Sequence, residues 1–322
     1  MNTLITPILK LAGHESAPIR YQIDAGSMRL FSASLMDPRA EAGRTSGSPA
    51  APLTFFGGAT GLLDIPAGDP RTMFALDLPL PRGWPTVATG DEFQFHRPVT
   101  SGMLLLASER FINAYEKQGR AGRLIFYSFR KTFATPDGIP VLTRTLHCAA
   151  MEPQSRELAP RPAATSYRRT CGPQLPPLQV GPVTIRYLAM FATATAEYVD
   201  IHYDADFARS AGLPGPIIQG LYKTAVVGRM LTEWTGDASL VRSLNLQHRG
   251  MDLAGSVLTA GGSIHTTAAA DGAADVECDV WVRNADGEDT SYGTARLART
   301  ALTEGLMRDL PISYESKEQR TA

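Results

Sequence analysis

The feature that most constrains this chain is that it resembles itself. The segment DEFQFHRPVTSGMLLLASERF and the later SLNLQHRGMDLAGSVLTAGGS share a strand, a His-Arg pair, a bend and a second strand. His96-Arg97 and His248-Arg249 lie 152 residues apart, and two downstream Asp-Gly pairs, Asp137-Gly138 and Asp286-Gly287, lie 149 apart. A nearly constant offset across anchors of different kinds is the mark of a duplicated unit. Around them, LIFYSFRKTF at 124–133 and VECDVWVRN at 276–284 are rich in strand formers, and Asp-Gly closes tight hairpins because glycine tolerates positive φ. Each half is therefore expected to be an antiparallel sheet of several long strands.

Between the halves, residues 151–182 carry seven prolines and no sustained apolar period, which reads as a linker. The expected organisation is a first unit at 1–150, the linker at 151–182, a second unit at 183–300 and a polar tail at 301–322. Pro216 to Gly236 holds Ile218, Leu221, Tyr222, Ala225, Val226, Met230 and Trp234 near helical spacing, with Gly236 as a stop. A helix apolar on most sides needs a sheet wrapped around it. The corresponding stretch of the first half, Pro52 to Pro66, is glycine-rich and a weak helix former, so the first half reads as eroded.

Charge excludes several classes of partner. Lys plus Arg number 31 against 32 acidic residues, so no bulk field gathers nucleic acid or an anionic membrane surface. No run of about 18 apolar residues suggests a membrane span, and MNTLITPILKLAGHES lacks the basic start of a secretory signal. Three cysteines without CxxC spacing make a reducing cytoplasmic setting the expectation.

The chemistry concentrates just ahead of the apolar helix, where Glu197, Asp200, His202, Asp204 and Asp206 fall within ten residues. A histidine titrates near neutral pH, and a neighbouring carboxyl can orient it or act as the second proton site. An extended backbone would put Asp200 and His202 on one face, whereas a turn would let Glu197 approach instead. Asp204 and Asp206 also suit the capping of a short helix, DADFARSAG. Gly220 leaves an N–H at the head of the apolar helix, suited to a ligand carbonyl or developing enolate. Gln219 offers an amide hydrogen bond or a cap. The remaining histidines show no paired metal-ligand spacing, so no metal site is expected.

EYVDIHYDADFARSAGLPGPIIQGLYKTAVVGRML followed by LNLQHRGMDLAGSVLTAGGSI resembles the C-terminal half of the MaoC-like enoyl-thioester hydratases and dehydratases. FQFHRPVTSGMLL and AYEKQGRAGRLIF with the Asp-Gly hairpin resemble the dehydratase-like half that often precedes it. The resemblance implies an α+β double hotdog, in which two antiparallel sheets, each wrapped around a helix, join into one layer. It implies an acyl-CoA or acyl-carrier-protein thioester substrate, reversible hydration across the 2,3 double bond, and no cofactor, coenzyme A or pantetheine being part of the substrate.

By the same resemblance, His202 handles the α-proton or positions water, and Gly220 binds the thioester carbonyl. The usual run G-D-x-N-P-I-H is here Ala196-Glu197-Tyr198-Val199-Asp200-Ile201-His202. Glu197 thus stands for the aspartate, Val199 for the asparagine and Asp200 for the proline, while Gln219 stands where a histidine commonly precedes the helix glycine. The candidate catalytic set is His202 with Glu197 or Asp200; the candidate substrate-binding set is Gly220, Gln219, Tyr198 and Pro216. Two competing readings stay open: a cyclase or isomerase on an unsaturated secondary metabolite, and a non-catalytic acyl-binding subunit. An exposed sheet edge leaves a homodimer possible.

Overall fold

The structure is a computed structural model that describes residues 4–42, 50–56, 78–119, 122–153, 172–265 and 275–298. The first half runs α1 (Thr6–Leu9), β1 (Ile19–Gln22), α2 (Ala25–Ser34), α3 (Arg39–Ala42), β2 (Thr86–Phe95), β3 (Leu104–Gly119), β4 (Gly122–Ala134) and β5 (Pro140–Met151). The second runs β6 (Leu178–Val180), α4 (Ile185–Thr195), α5 (Ala205–Ser210), α6 (Gly220–Thr235), β7 (Val241–His248), β8 (Leu258–Ile264), β9 (Val276–Arg283) and β10 (Asp289–Leu297).

All ten strands form one sheet in the order β1-β3-β4-β5-β2-β7-β10-β9-β8-β6, and every named pairing is antiparallel. Exchanging each strand of the first half for its counterpart in the second leaves that order unchanged when read from the other end. The duplicated halves are thus related by a pseudo-twofold at the β2–β7 seam, where Asp91 lies opposite Leu246 and Phe93 opposite Leu244. Both Asp-Gly pairs sit in the expected hairpins, with Gly138 at φ 85° and Gly287 at φ 82°.

The repeat reaches beyond the strands. Ile23 exchanges backbone bonds with Gly102 and Met103, as Val183 does with Gly255 and Ser256; Ala51 donates to the Val99 carbonyl, as Ile218 does to that of Asp252. At the ends of α2 and α4, Met36 and Ala196 adopt the left-handed conformation at φ 56° and 58°. Each is followed at once by a carboxylate, Asp37 in one half and Glu197 in the other. These correspondences place Leu53 at the position of Gly220, Phe56 at that of Lys223 and Ala42 at that of His202.

Helix α6 lies in the core, with Leu221, Tyr222, Val226, Val227, Met230 and Leu231 each at most 2% exposed. Burial of each such large side chain contributes about 1.5–3 kcal/mol. Gly236 ends the helix at φ 74°, the left-handed stop that glycine supplies without a Cβ clash. An aromatic run through Phe55, Phe31, Phe191 and Tyr222 joins the halves, with ring centroids 5.2–5.5 Å apart. The Tyr222 hydroxyl donates to the Ser34 carbonyl at 2.8 Å. Among the described residues no helix is long and apolar enough to cross a membrane.

The stretch expected to be a linker is structured towards its end. Leu178–Val180 form β6 against β8, and Gln174 bridges to Ser263, so the second half begins near Gly172. The prolines hid a three-residue edge strand, a place where a missing N–H is tolerated. Residues 154–171, 57–66 of the stretch compared with the apolar helix, Arg120 and the tail from 299 lie outside the described residues.

Candidate active site

After Ala196 turns the chain out of α4, residues Asp200–His202 form a 3-10 turn. The extended alternative for this segment is therefore not realised. Asp200 is exposed and accepts from the Tyr203 hydroxyl at 3.0 Å. Asp204 caps α5 by accepting from the Asp206 and Phe207 amides, and Asp206 pairs with Arg209 on the surface.

The His202 ring is held by one geometric constraint. Its Nδ1 lies 2.8 Å from the Ile217 carbonyl, and because a carbonyl only accepts, Nδ1 carries the proton and Nε2 keeps its lone pair. Burial pushes the imidazole down to about 4, partly offset by that bond, so the ring is neutral at working pH with Nε2 as a proton acceptor.

Glu197 has the opposite character. Its Oε2 is buried without a hydrogen-bond partner among the described residues. Burial pushes the carboxyl up to about 7; the Arg144 cation pulls it down, the Asp91 charge pushes it further up, and Lys131 pulls it down. Residues 197–202 thus carry both a carboxyl that holds a proton near neutrality and a neutral imidazole, the two kinds of group that acid–base chemistry at adjacent carbons needs. Tyr198 lies between them in sequence and is partly buried; Pro216 is buried, its carbonyl accepting from Ala254.

The head of α6 completes the site. Gln219 is fully buried but does not cap the helix: its amide donates to the Leu188 carbonyl at 3.2 Å, and Oε1 has no partner among the described residues. The Gln219 side chain therefore leaves the first-turn N–H groups at the positive end of the helix uncapped. Gly220 is glycine for a reason the sequence did not disclose. A Cβ there would fall 2.6 Å from Cδ2 and 2.7 Å from Nε2 of His248, so the helix begins directly on that ring.

His248 opens a network that sequence reasoning missed. Its Nε2 donates to Asp91 Oδ2 at 3.2 Å, and Ser291 Oγ donates to Nδ1 at 3.0 Å. Arg144 grips Asp91 Oδ1 through Nε at 2.8 Å and Nη2 at 2.6 Å, and Thr224 donates to Oδ2 at 3.3 Å. Burial works against ionisation of Asp91, but Arg144 and His248 outweigh it and hold the carboxyl at about 2. Burial also lowers His248, against the pull of Asp91. The order Ser291–His248–Asp91 has the connectivity of a hydrolytic triad, yet Ser291 is fully buried on β10; its hydroxyl orients the ring and cannot meet a substrate. A second buried cluster fixes the first turn of α6, with Lys223 Nζ donating to Asp252 Oδ2 at 2.9 Å and to the Gly250 carbonyl at 2.8 Å.

Two signals for this network were present in the sequence. His248 is one of the repeat's anchors, and Asp91 and Arg144 are charges set inside strand patterns. A cavity of about 1070 Å3 lies elsewhere, lined by Asp37, Arg39, Leu53, His96, Arg97 and Arg229 among others. By the repeat it occupies in the first half the place that Glu197, Gly220 and His248 hold in the second.

Comparison with known proteins agrees with this division. Residues 173–282 match the model described as a MaoC like domain, and residues 10–144 match that of the FAS1-like dehydratase domain region. Over 74 residues the chain is 39% identical to the fatty acid synthase subunit beta of Aspergillus oryzae, which is 22% of this chain and 4% of that protein. Over 61 residues it is 31% identical to the 3-oxo-4,17-pregnadiene-20-carboxyl-CoA hydratase beta subunit of Mycobacterium tuberculosis, 19% of this chain and 47% of that one. The matches thus span less than half the length of these relatives.

Among solved structures, a MaoC-like dehydratase superposes with a TM-score of 0.65 at 17% identity, covering 92% of this chain and 99% of its own. A Mycobacterium tuberculosis protein described as having a double hotdog fold superposes at 0.53 with 12% identity, covering 89% and 96%. At such identities the likeness concerns the fold.

Proposed function

We propose, from a chain that carries a MaoC-like dehydratase domain with a FAS1-like dehydratase region ahead of it on one double hotdog, that it is a hydro-lyase. Its substrate is a 2-enoyl or 3-hydroxyacyl thioester, carried on coenzyme A or an acyl-carrier protein. The observation that carries this reading is that the short segment from 197 to 202 holds both a Glu197 carboxyl raised to about 7 and a His202 whose Nδ1 is tied to the Ile217 carbonyl, leaving Nε2 to accept.

In the dehydration direction, His202 Nε2 takes the α-proton as the Cα–H bond breaks. The electron pair moves onto the thioester oxygen, where the Gly220 N–H at the head of α6 stabilises the developing enolate. The enolate then collapses to the 2,3 double bond, the Cβ–O bond breaks, and protonated Glu197 delivers its proton so that the hydroxyl leaves as water. Transfer of the proton from His202 back to Glu197 through solvent resets the site. Hydration is the reverse, with ionised Glu197 activating water. Side chains supply every proton, so the reading calls for no cofactor.

The test is incubation with 2-enoyl and 3-hydroxyacyl thioesters, in coenzyme A and pantetheine forms, in oxygen-18 water with mass-spectrometric readout. Interconversion with label in the 3-hydroxyl, lost in His202→Ala, is the expected result. A rearranged product without label would make the protein an isomerase or cyclase, and tight thioester binding without turnover would make it an acyl-binding subunit.

A further inference from the structure

The cavity of about 1070 Å3 in the first half is divided by polarity. Met28, Phe31 and Leu35 on α2 and Leu142 on β5, all buried, give it an apolar inner wall. Five arginines line it as well, against two carboxylates, and both carboxylates are already engaged. Asp37 is gripped by Arg39, and Asp237 accepts from Ser239. Arg229 donates to Glu233 and to the Leu35 carbonyl. The other three, Arg29 on α2, Arg97 in the bend after β2 and Arg242 on β7, are exposed. Arg97 lies in the field of the exposed Asp137, yet none of the three guanidinium groups forms a hydrogen bond or ion pair among the described residues. A chain of net charge -1 thus gathers three such cations around one apolar cavity. Walls of low dielectric rimmed by one sign of charge focus their field on a ligand of the other sign.

The cavity is not equipped for the chemistry read in the second half. Ala42 stands at the position of His202 and Leu53 at that of Gly220, while Asp37 is tied to Arg39. None of Glu197, His202, Gly220 and His248 lines it. We propose that the cavity is a non-catalytic binding site for an anionic amphiphile. The apolar chain lies along Met28, Phe31, Leu35 and Leu142, and Arg29, Arg97 and Arg242 meet the anionic group. A long-chain carboxylate and a phosphate-bearing acyl thioester share this chemistry, and the guanidinium fork suits the oxygens of either. The volume, at the upper end of small-molecule sites, leaves room for a long chain. The site stands whether or not the second half is a hydro-lyase.

The experiment is a titration of the full chain, labelled with methyl-13C methionine, with laurate, lauroyl-CoA and methyl laurate below their micelle concentrations. The Met28 methyl resonance, identified by its loss in Met28→Leu, reports occupancy of the cavity. At least one of the two anions shifts it saturably, and the tighter of them names the source of the ligand. Methyl laurate, which keeps the chain without the charge, binds about tenfold more weakly or worse. Replacing Arg29, Arg97 and Arg242 together by Gln weakens the anion about tenfold and leaves methyl laurate as it was. Should that variant fail to fold, Arg97→Gln and Arg242→Gln taken singly carry the same direction. Val99→Trp, which fills part of the cavity, removes the response to all three ligands. A Met28 resonance that neither anion moves, an anion affinity indifferent to the arginines, or methyl laurate binding as tightly as the anions overturns the proposal. Because no turnover is read, a protein inactive on every thioester but showing this pattern would refute the hydro-lyase reading alone.

Discussion

Two carboxylates hold the same place in the two halves and have opposite fates. Asp37 and Glu197 each follow a left-handed residue at the end of a helix. Asp37 is met by Arg39, which grips both oxygens at 2.8–3.2 Å, and this pairing outweighs burial to hold the carboxyl below its usual range. Among the described residues Glu197 has no such partner on Oε2, and burial prevails. The same fold position thus holds a carboxyl below its usual range in one half and above it in the other, according to whether a cation two residues on grips it. The neighbouring positions diverge in step: Ala42 for His202, Leu53 for Gly220, and Val99 for the Asp252 that pairs with Lys223.

The largest way to break this contrast is His202→Ala, which removes the proton acceptor. Turnover falls by about 100- to 10,000-fold while circular dichroism shows the fold retained; undiminished activity would disprove the assignment.

Glu197→Gln comes next, with comparable loss of turnover and a stability signature of defined sign. Folding raises this carboxyl from the ordinary 4.5 to about 7, so the folded state binds the proton more tightly than the unfolded one. The ionised group therefore costs stability, from nothing below about 4.5 to its full extent above 7. Thermal unfolding should show the Gln variant gaining on the original protein between pH 5 and pH 8; a gain independent of pH would contradict the assigned burial.

Gly220→Ala sharpens the contrast at its second position. The methyl group meets the His248 ring, and the variant loses about 1–3 kcal/mol in denaturant unfolding together with turnover, whereas Leu53→Ala in the first half leaves turnover unchanged.

The smallest effect is expected from Arg39→Ala. It frees Asp37 to titrate higher, readable as an upward shift of its carboxyl resonance, and leaves catalysis untouched because no proton acceptor stands at Ala42.

The sequence made the sheet legible because its anchors, the His-Arg pairs and the Asp-Gly hairpins, are local features that survive duplication. Helix α6 was legible for the same reason, its apolar spacing and Gly236 being local. Lys223 and Thr224 interrupt that apolar pattern, and only the fold shows that they face buried partners on other strands. The spacing offers His202 with either Glu197 or Asp200 as its carboxyl, and the 3-10 turn that leaves Asp200 exposed depends on surrounding residues that spacing does not report. The partners of Asp91 were harder to read: its bond to His248 exists only once β2 pairs with β7, and no local pattern reports which strand of one half will meet which strand of the other.

The most direct measurement is the pH dependence of dehydration of a 3-hydroxyacyl-CoA. The account predicts a bell that rises as His202 loses its proton near 4 and falls as Glu197 loses its own near 7, with the upper limb absent in Glu197→Gln. A rate that keeps climbing above pH 7 in the intact protein, or an upper limb that persists in the Gln variant, would show that the proton comes from elsewhere.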